Sequence, residues 1–281
     1  MDKLGESCLG IKKWYSPQDG QEILADIVAV HGLAANPYWT WVGKPKKTTG
    51  RRAPRMSADQ EDPQSVIWLQ ELLPHRLPNC RILTFGYRSD YLIKAPKRDI
   101  ANCAQELLVA LLNNRTGPCA GRPLIFLGHS FGGVVIKEAL VKATLAARAF
   151  GDIKRSTQGV VFLGTPHHGS SAAAYGEMLV AAAQAIGTGS NRELLRSLRK
   201  MSPELMKLAS NFNDIFEDFE VFCFYEGLPT KLSSVIVTKD SAVIPNRLND
   251  ILIADHSGLN KFHDSNDPNF DKVAQALSNM T

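Results

Sequence analysis

Short apolar runs alternate along this chain with longer stretches in which apolar residues recur every three or four positions. The short runs predict buried strands at residues 23–30, 81–87, 123–127, 159–163, 221–225 and 251–254. The longer stretches predict helices at residues 65–77, 99–114 and 131–149. This alternation predicts an α/β class, with a mostly parallel central sheet and helices on both faces.

One longer segment, residues 170–216, separates two of the predicted strands. Its leucines and methionines follow helical spacing, and it is longer than a crossover helix requires. Such an insertion commonly covers the site of a sheet enzyme, although core packing would also use its apolar residues. We therefore expect a single domain over residues 1–281, with a helical cap or lid insertion at residues 170–216.

The strongest chemical signal is a G-x-S-x-G motif at residues 128–132, directly after a predicted strand and before a predicted helix. This context places a serine on a sharp turn, and the small neighbours leave room for its strained backbone. The motif predicts the α/β-hydrolase fold with Ser130 as a catalytic nucleophile. His129 is interpreted as structural, because adjacent side chains on such a turn diverge.

A catalytic base and an acid should follow, since this fold orders its triad as serine, acid and histidine. His256 directly follows the last predicted strand, whereas His263 lies in a polar tail, so His256 is the expected base. The acid should hold the imidazole from a loop after a strand. Glu226 closes one predicted strand, and Asp240 follows a strand-like stretch at residues 235–237. Glu226 is preferred, and Asp240 remains the alternative.

Backbone N–H groups are the expected donors of an oxyanion hole. An apolar strand ends in His31-Gly32-Leu33, the position from which this fold supplies one such donor. The residue after the nucleophile supplies the other. The expected donors are therefore the amides of Leu33 and Phe131.

Charge and composition change this picture little. The formal net charge is +4, and the densest basic run, within residues 44–55, contains Pro and Gly and is typical of a solvated loop. We expect no nucleic-acid partner. Five cysteines without a C-x-x-C pair argue against a disulfide framework and a zinc site, and the adjacent His167 and His168 lack a third ligand at suitable spacing. No cofactor and no metal are expected.

The first six residues lack the pattern of a signal peptide. No apolar run approaches the length of about 18 residues that a membrane span needs. Together with the cysteines, this predicts a cytoplasmic protein. A peripheral contact with an intracellular membrane and the oligomeric state stay open.

Three segments carry a family resemblance: residues 26–33, residues 128–133 and the T-P-H-H-G-S stretch at residues 165–170. The chain resembles a lipase-like serine esterase family of the α/β-hydrolase superfamily. That family includes the GPI inositol-deacylase group, the mitochondria-associated serine-active-site proteins and the hydrolase-type N-terminal domains of fungal NOD-like receptors. The likeness runs from about Leu9 to about Phe262.

The resemblance implies Ser130 as nucleophile, His256 as base and the hydrolysis of a small-molecule or lipid ester. Residues 224–226 match the stretch in which the fungal group carries its glutamate. The same groups would also serve an acyltransferase. A receptor-type protein could instead keep the scaffold as a signalling module without turnover, because fold does not fix function.

Overall fold

The computed structural model describes residues 6–33, 35–45, 64–88, 100–167, 180–181, 192–230 and 236–281. The strands are β1 (Gly10–Tyr15), β2 (Ala25–Val30), β3 (Val42–Gly43), β4 (Val66–Ile67), β5 (Cys80–Gly86), β6 (Leu124–His129), β7 (Thr157–Leu163), β8 (Glu220–Glu226) and β9 (Leu248–Leu252). Within these residues one sheet has the order β1-β5-β2-β6-β7-β8-β9, and β3 pairs with β4. The β1–β5 pair is antiparallel, and the other pairs of the large sheet are parallel.

Helices lie on both faces of this sheet, as predicted. They are α1 (Trp68–Glu71), α2 (Leu73–Arg76), α3 (Ile100–Asn114), α4 (Phe131–Leu145), α5 (Ala147–Ser156), α6 (Arg192–Asn213), α7 (Lys239–Ala242) and α8 (Pro268–Ser278). Strand residues alternate between two cores, because successive side chains point to opposite faces. Phe126 packs with α3 and α4, whereas Leu127 packs with α1 and α8.

Two predicted helices are wrong in extent. The helix predicted at residues 65–77 is replaced by β4 and the short helices α1 and α2, because Pro74 in the first turn of α2 cannot continue a helix from α1. The helix predicted at residues 131–149 ends at Leu145, where Ala146 leaves the helical region with φ −104° and ψ 46°. A separate helix, α5, then begins.

The strand β1 was not predicted. It is an edge strand with mostly half-buried residues, and the adjacent Lys12 and Lys13 interrupt the apolar pattern. An edge strand buries less apolar surface than a central one, so its sequence signal is weak.

The predicted insertion at residues 170–216 is described only in part. Helix α6 buries Leu205, Leu208 and Phe212 in the core that α4 also lines, so this part of the segment packs as a crossover helix. Residues 170–179 and 182–191 lie outside the described residues, as do residues 46–63, which hold most of the basic run. The covering role of the insertion stays a prediction.

A buried ion cluster fixes the N-terminal end of β2, opposite the end that leads to Gly32. The carboxylate of Asp26 is fully buried and accepts from three guanidinium groups, those of Arg81, Arg115 and Arg122. The distances from Arg81 and Arg122 are 2.7 and 3.0 Å. Because the strand is held at this end, its other end presents the turn at Gly32 in a defined position.

Parallel strands end at one edge of a sheet, and ligands bind at this edge in open α/β sheets. Ser130 follows β6, and Leu33 lies three residues after β2. Glu226 ends β8, and His256 follows β9 on the next loop. The fold therefore collects the predicted site residues at one edge.

Candidate active site

Ser130 forms the turn between β6 and α4. Its backbone has φ 53° and ψ −123°, a left-handed conformation that costs a non-glycine residue about 1–3 kcal/mol. The Ser130 N–H donates to the carbonyl of Leu163 over 2.9 Å, which ties the turn to the end of β7. The surrounding sheet thus holds the serine in a conformation that the chain would otherwise avoid.

The glycines around this turn are required because backbone atoms lie where a side chain would stand. A Cβ at Gly128 would lie 2.6 Å from the Cα of Gly133, and a Cβ at Gly132 would lie 2.2 Å from the carbonyl oxygen of Val30. Both contacts are with backbone, which cannot move aside without shifting a strand or helix. The small residues of the motif therefore allow α4 to pack directly against the sheet.

One hydrogen-bonded line joins Ser130, His256 and Glu226. The Nε2 of His256 lies 2.9 Å from Ser130 Oγ, and its Nδ1 lies 2.8 Å from Glu226 Oε1. All three side chains are buried. A carboxylate only accepts, so Nδ1 carries the imidazole proton and Nε2 presents its lone pair to the serine hydroxyl. In this tautomer the imidazole can take the proton of Ser130.

Of the two carboxylates that the sequence left open, Glu226 meets His256. Its Oε2 also accepts from the N–H of Ile236, and its Oε1 from the N–H of Val237, each over 2.9 Å. Asp240 lies exposed in α7. The strand-like appearance of residues 235–237 was misleading: Ile236 and Val237 form a bend whose amides point at the carboxylate.

The backbone donors expected to form the oxyanion hole are the N–H groups of Leu33 and Phe131. Among the described residues, the N–H groups of Leu33 and Phe131 have no hydrogen-bond acceptor. Phe131 is the first residue of α4, where N–H groups are unpaired within the helix and carry its positive end. Gly32 lies against the serine, since a Cβ there would be 3.2 Å from Ser130 Cβ.

His31 orients the first of these donors, a role that the sequence did not indicate. The N–H of Tyr87 donates to His31 Nε2 over 3.1 Å, so Nδ1 carries the proton and donates to the Gly32 carbonyl at 2.8 Å. Burial lowers the pKa of His31 to about 4, which keeps the ring neutral. Because a peptide unit is planar, holding the Gly32 carbonyl also sets the direction of the Leu33 N–H.

His129 holds the backbone of His256. Its Nε2 donates to the backbone carbonyl of His256 over 3.0 Å. Burial, reinforced by the neighbouring His256, lowers the pKa of His129 to about 3, so this ring is a neutral donor and an unsuitable base at neutral pH. His129 therefore has a structural contact, as interpreted from the sequence, and its partner is the backbone of His256.

The described residues contain no group of three or more His, Cys, Asp or Glu side chains placed to hold a metal ion. His168 lies outside them. All five cysteines are free thiols. No helix in the described part of the chain is long and apolar enough to cross a membrane.

Comparison with known sequences finds relatives but no matching family model. The chain is 30% identical to Protein SERAC1 of Mus musculus over 77% of this chain and 32% of that protein. It is 31% identical to Protein SERAC1 of Danio rerio over 84% of this chain and 35% of that protein. The chain therefore spans about a third of the length of the curated relatives it matches.

Comparison with solved structures establishes the fold. The mature lipase BlEst2 of Bacillus licheniformis superposes with a TM-score of 0.58 at 16% identity, covering 95% of this chain and 97% of that one. The RedJ thioesterase of Streptomyces coelicolor gives 0.51 at 14% identity, over 95% and 89% of the two chains. MenH from S. aureus gives 0.51 at 12%, over 96% and 97%. The chain has the α/β-hydrolase fold.

The chain thus has the α/β-hydrolase fold and is similar in sequence to Protein SERAC1, in agreement with the resemblance to a family of that superfamily. The likeness to the GPI inositol-deacylase group and to fungal receptor domains stays a prediction.

Proposed function

We propose that this chain is a serine hydrolase that cleaves carboxylic esters, of small molecules or lipids, through an acyl-enzyme intermediate. The observation that carries the proposal is the line from Ser130 through His256 to Glu226, buried and within hydrogen-bond distance at each step. The amides of Leu33 and Phe131, which have no acceptor among the described residues, add to it. The lipase and thioesterase that share the fold give it further support.

In the first half of the reaction His256 Nε2 takes the proton of Ser130 as Oγ attacks the ester carbonyl. The carbonyl oxygen becomes an oxyanion, which the N–H groups of Leu33 and Phe131 stabilise by an amount on the order of a few kcal/mol. The protonated His256 then gives its proton to the leaving alkoxide oxygen. The C–O bond to the alcohol breaks, and the acyl group stays on Ser130.

The second half reverses these roles. Water gives its proton to His256 Nε2 and attacks the acyl carbonyl, and the same two amides hold the second oxyanion. The bond to Ser130 Oγ breaks, the serine recovers its proton, and the carboxylic acid leaves. Glu226 keeps its bond to Nδ1–H throughout and stabilises the imidazolium that forms twice in each cycle.

A covering role of residues 170–216 belongs to the same proposal. Its supports are the apolar residues of that segment that lie before α6 and the depth of the nucleophile, which is 1% exposed. An apolar cover would favour an apolar acyl group and would exclude bulk water from the oxyanion. The cytoplasmic location of the chain remains a prediction.

The purified chain, incubated with p-nitrophenyl esters of short and long acyl chains, is the direct test. We expect steady release of p-nitrophenol and free carboxylic acid. The same reactions run with added alcohols separate two chemistries: free acid as the main product supports a hydrolase, and a new ester as the main product makes the chain an acyltransferase. A folded chain without turnover would make it a non-catalytic module.

Replacing each carboxylate in turn tests whether Glu226 or Asp240 is the acid of the triad. Glu226→Gln is expected to lower kcat about 10⁴-fold, because a neutral amide neither fixes the imidazole tautomer nor stabilises its charge. Asp240→Asn is the matched control, and its kcat should stay within about twofold of the wild type, since surface substitutions away from the site act weakly. Ester hydrolysis rates and circular-dichroism melting curves of both variants measure this.

The reverse outcome, a large loss in Asp240→Asn with Glu226→Gln nearly active, would assign the acid to Asp240. Equal small losses in both folded variants would remove the carboxylate from the mechanism.

A further inference from the structure

Lys137 is a buried lysine that the proposed mechanism does not use. It lies on α4, two turns after the nucleophile, and its side chain is 1% exposed. Among the described residues it forms no ion pair. A lysine is almost never buried fully without a partner, because its charge is costly to remove from water. Its presence needs a specific reason.

The polar neighbours of Lys137 belong to the T-P-H-H-G-S stretch and to β8. The Nζ lies 3.5 Å from the carbonyl oxygen of Pro166 and 3.4 Å from His167 Nδ1. On the other side of that ring, His167 Nε2 lies 3.6 Å from Cys223 Sγ. His167 and Cys223 are the titratable groups that face this amine among the described residues. A lysine, a histidine and a cysteine thus form one buried polar row.

His167 connects this row to the segment that holds the acid. Its backbone N–H donates to the carbonyl of Ser241 in α7 over 2.7 Å. A few residues before α7 lie Ile236 and Val237, whose amides bind Glu226. The turn before His167 also touches the base, since a Cβ at Gly164 would lie 3.3 Å from His256 Nδ1.

These contacts close a ring around the candidate site. It runs from Ser130 along α4 to Lys137, across His167 to α7, and back through Glu226 and His256 to Ser130. We propose that Lys137 is a positioning residue of this ring, holding the loop at residues 164–167, and through it the donors of Glu226. The inference rests on the proposed function.

The electrostatics agree with this geometry. Burial lowers the pKa of Lys137 to about 7, against a smaller opposing effect of Cys223. Burial also raises the pKa of Cys223 to about 11, so no thiolate is present to pair with a charged lysine near neutral pH. The uncharged amine predominates above about pH 7, and a buried, unpaired charge appears below it. Protonation should therefore loosen the ring.

Three variants test the inference. Lys137→Met keeps length and volume, and it should fold because it removes a buried amine rather than a packed apolar group. Lys137→Arg stays charged at every accessible pH. Lys142→Met is the matched control: it lies on the same helix, and its Nζ reaches the carbonyl of Ala101 over 3.4 Å, away from the ring.

The first readout is activity as a function of pH. At about pH 8 we expect Lys137→Met to lose about 10-fold to 100-fold in kcat with little change in KM, since the acid and base are misplaced while the substrate site remains. At about pH 6 the difference from the wild type should shrink, because the wild-type lysine is then charged and the ring is already loosened. Lys137→Arg should be impaired at both pH values, and Lys142→Met at neither.

The second readout is independent of turnover. Hydrogen exchange of the amides at residues 236–242, followed by mass spectrometry, should be about tenfold faster in Lys137→Met than in the wild type at the same pH and unchanged in Lys142→Met. Unchanged exchange, or a kcat ratio between wild type and Lys137→Met that is the same at every pH, would overturn the inference. Faster exchange in a chain that turns over no ester would retain the ring and overturn the proposed function alone.

Discussion

Ser130→Ala is expected to lower kcat for ester hydrolysis on the order of 10⁵-fold to 10⁶-fold, because no other group can form the acyl-enzyme. A residual rate above that of water should remain, since the amides of Leu33 and Phe131 would still polarise a bound ester. The fold should survive the change. Alanine keeps the Cβ, and the variant gives up only the contact of the hydroxyl with His256 among the described residues.

The control for this variant is Ser156→Ala. Ser156 is also a buried serine, and its hydroxyl donates to the carbonyl of Ala120 over 3.1 Å, just before β7 begins and therefore at the opposite edge of the sheet. Its activity should remain near that of the wild type. Initial rates with p-nitrophenyl esters, alongside melting curves, measure both variants. Full activity of a folded Ser130→Ala would exclude an acyl-enzyme on this residue.

His256→Gln should cost nearly as much, about 10⁵-fold to 10⁶-fold in kcat, because the serine hydroxyl loses the base that takes its proton. Glutamine has a similar length but does not act as a base near neutral pH. His263→Gln is the matched control, since His263 lies in the tail beyond the site. Comparable losses in both variants would contradict a specific role of His256. A loss confined to His263→Gln would make His263 the base.

The sheet and the turn at Ser130 could be predicted because they depend on local patterns. Central parallel strands are buried on both faces, so their sequences are continuous apolar runs. The turn at Ser130 needs glycines where the backbone of Val30 and of α4 approaches, and these glycines are visible in the sequence. The edge strand β1 escaped prediction because it is only half buried.

The sequence favoured Glu226 as the partner of His256 and left Asp240 as the alternative. Glu226 and Asp240 both follow apolar stretches, and what distinguishes them is a bend at Ile236 and Val237 that aims two amides at one carboxylate. That bend depends on the tertiary path of the chain. An apolar pair such as Ile-Val reads as a strand when only its composition is known.

Contacts between distant parts of the chain explain why the sequence did not indicate the roles of His31 and Lys137. His31 is oriented by Tyr87, which lies 56 residues later. Lys137 reads as a surface residue of an apolar helix, and only the position of Pro166 and His167 shows that its amine is buried. Neither role follows from a motif, since each needs two segments that meet only in the folded protein.

Labelling with a fluorophosphonate tests most directly whether Ser130 is an activated nucleophile. The wild-type chain should gain one covalent adduct per molecule by intact-mass measurement, and peptide mapping should place that adduct on Ser130. Ser130→Ala should gain none, and Ser156→Ala should be labelled as the wild type is. A folded wild-type chain that stays unlabelled, or an adduct on another residue, would contradict the role of Ser130 as nucleophile.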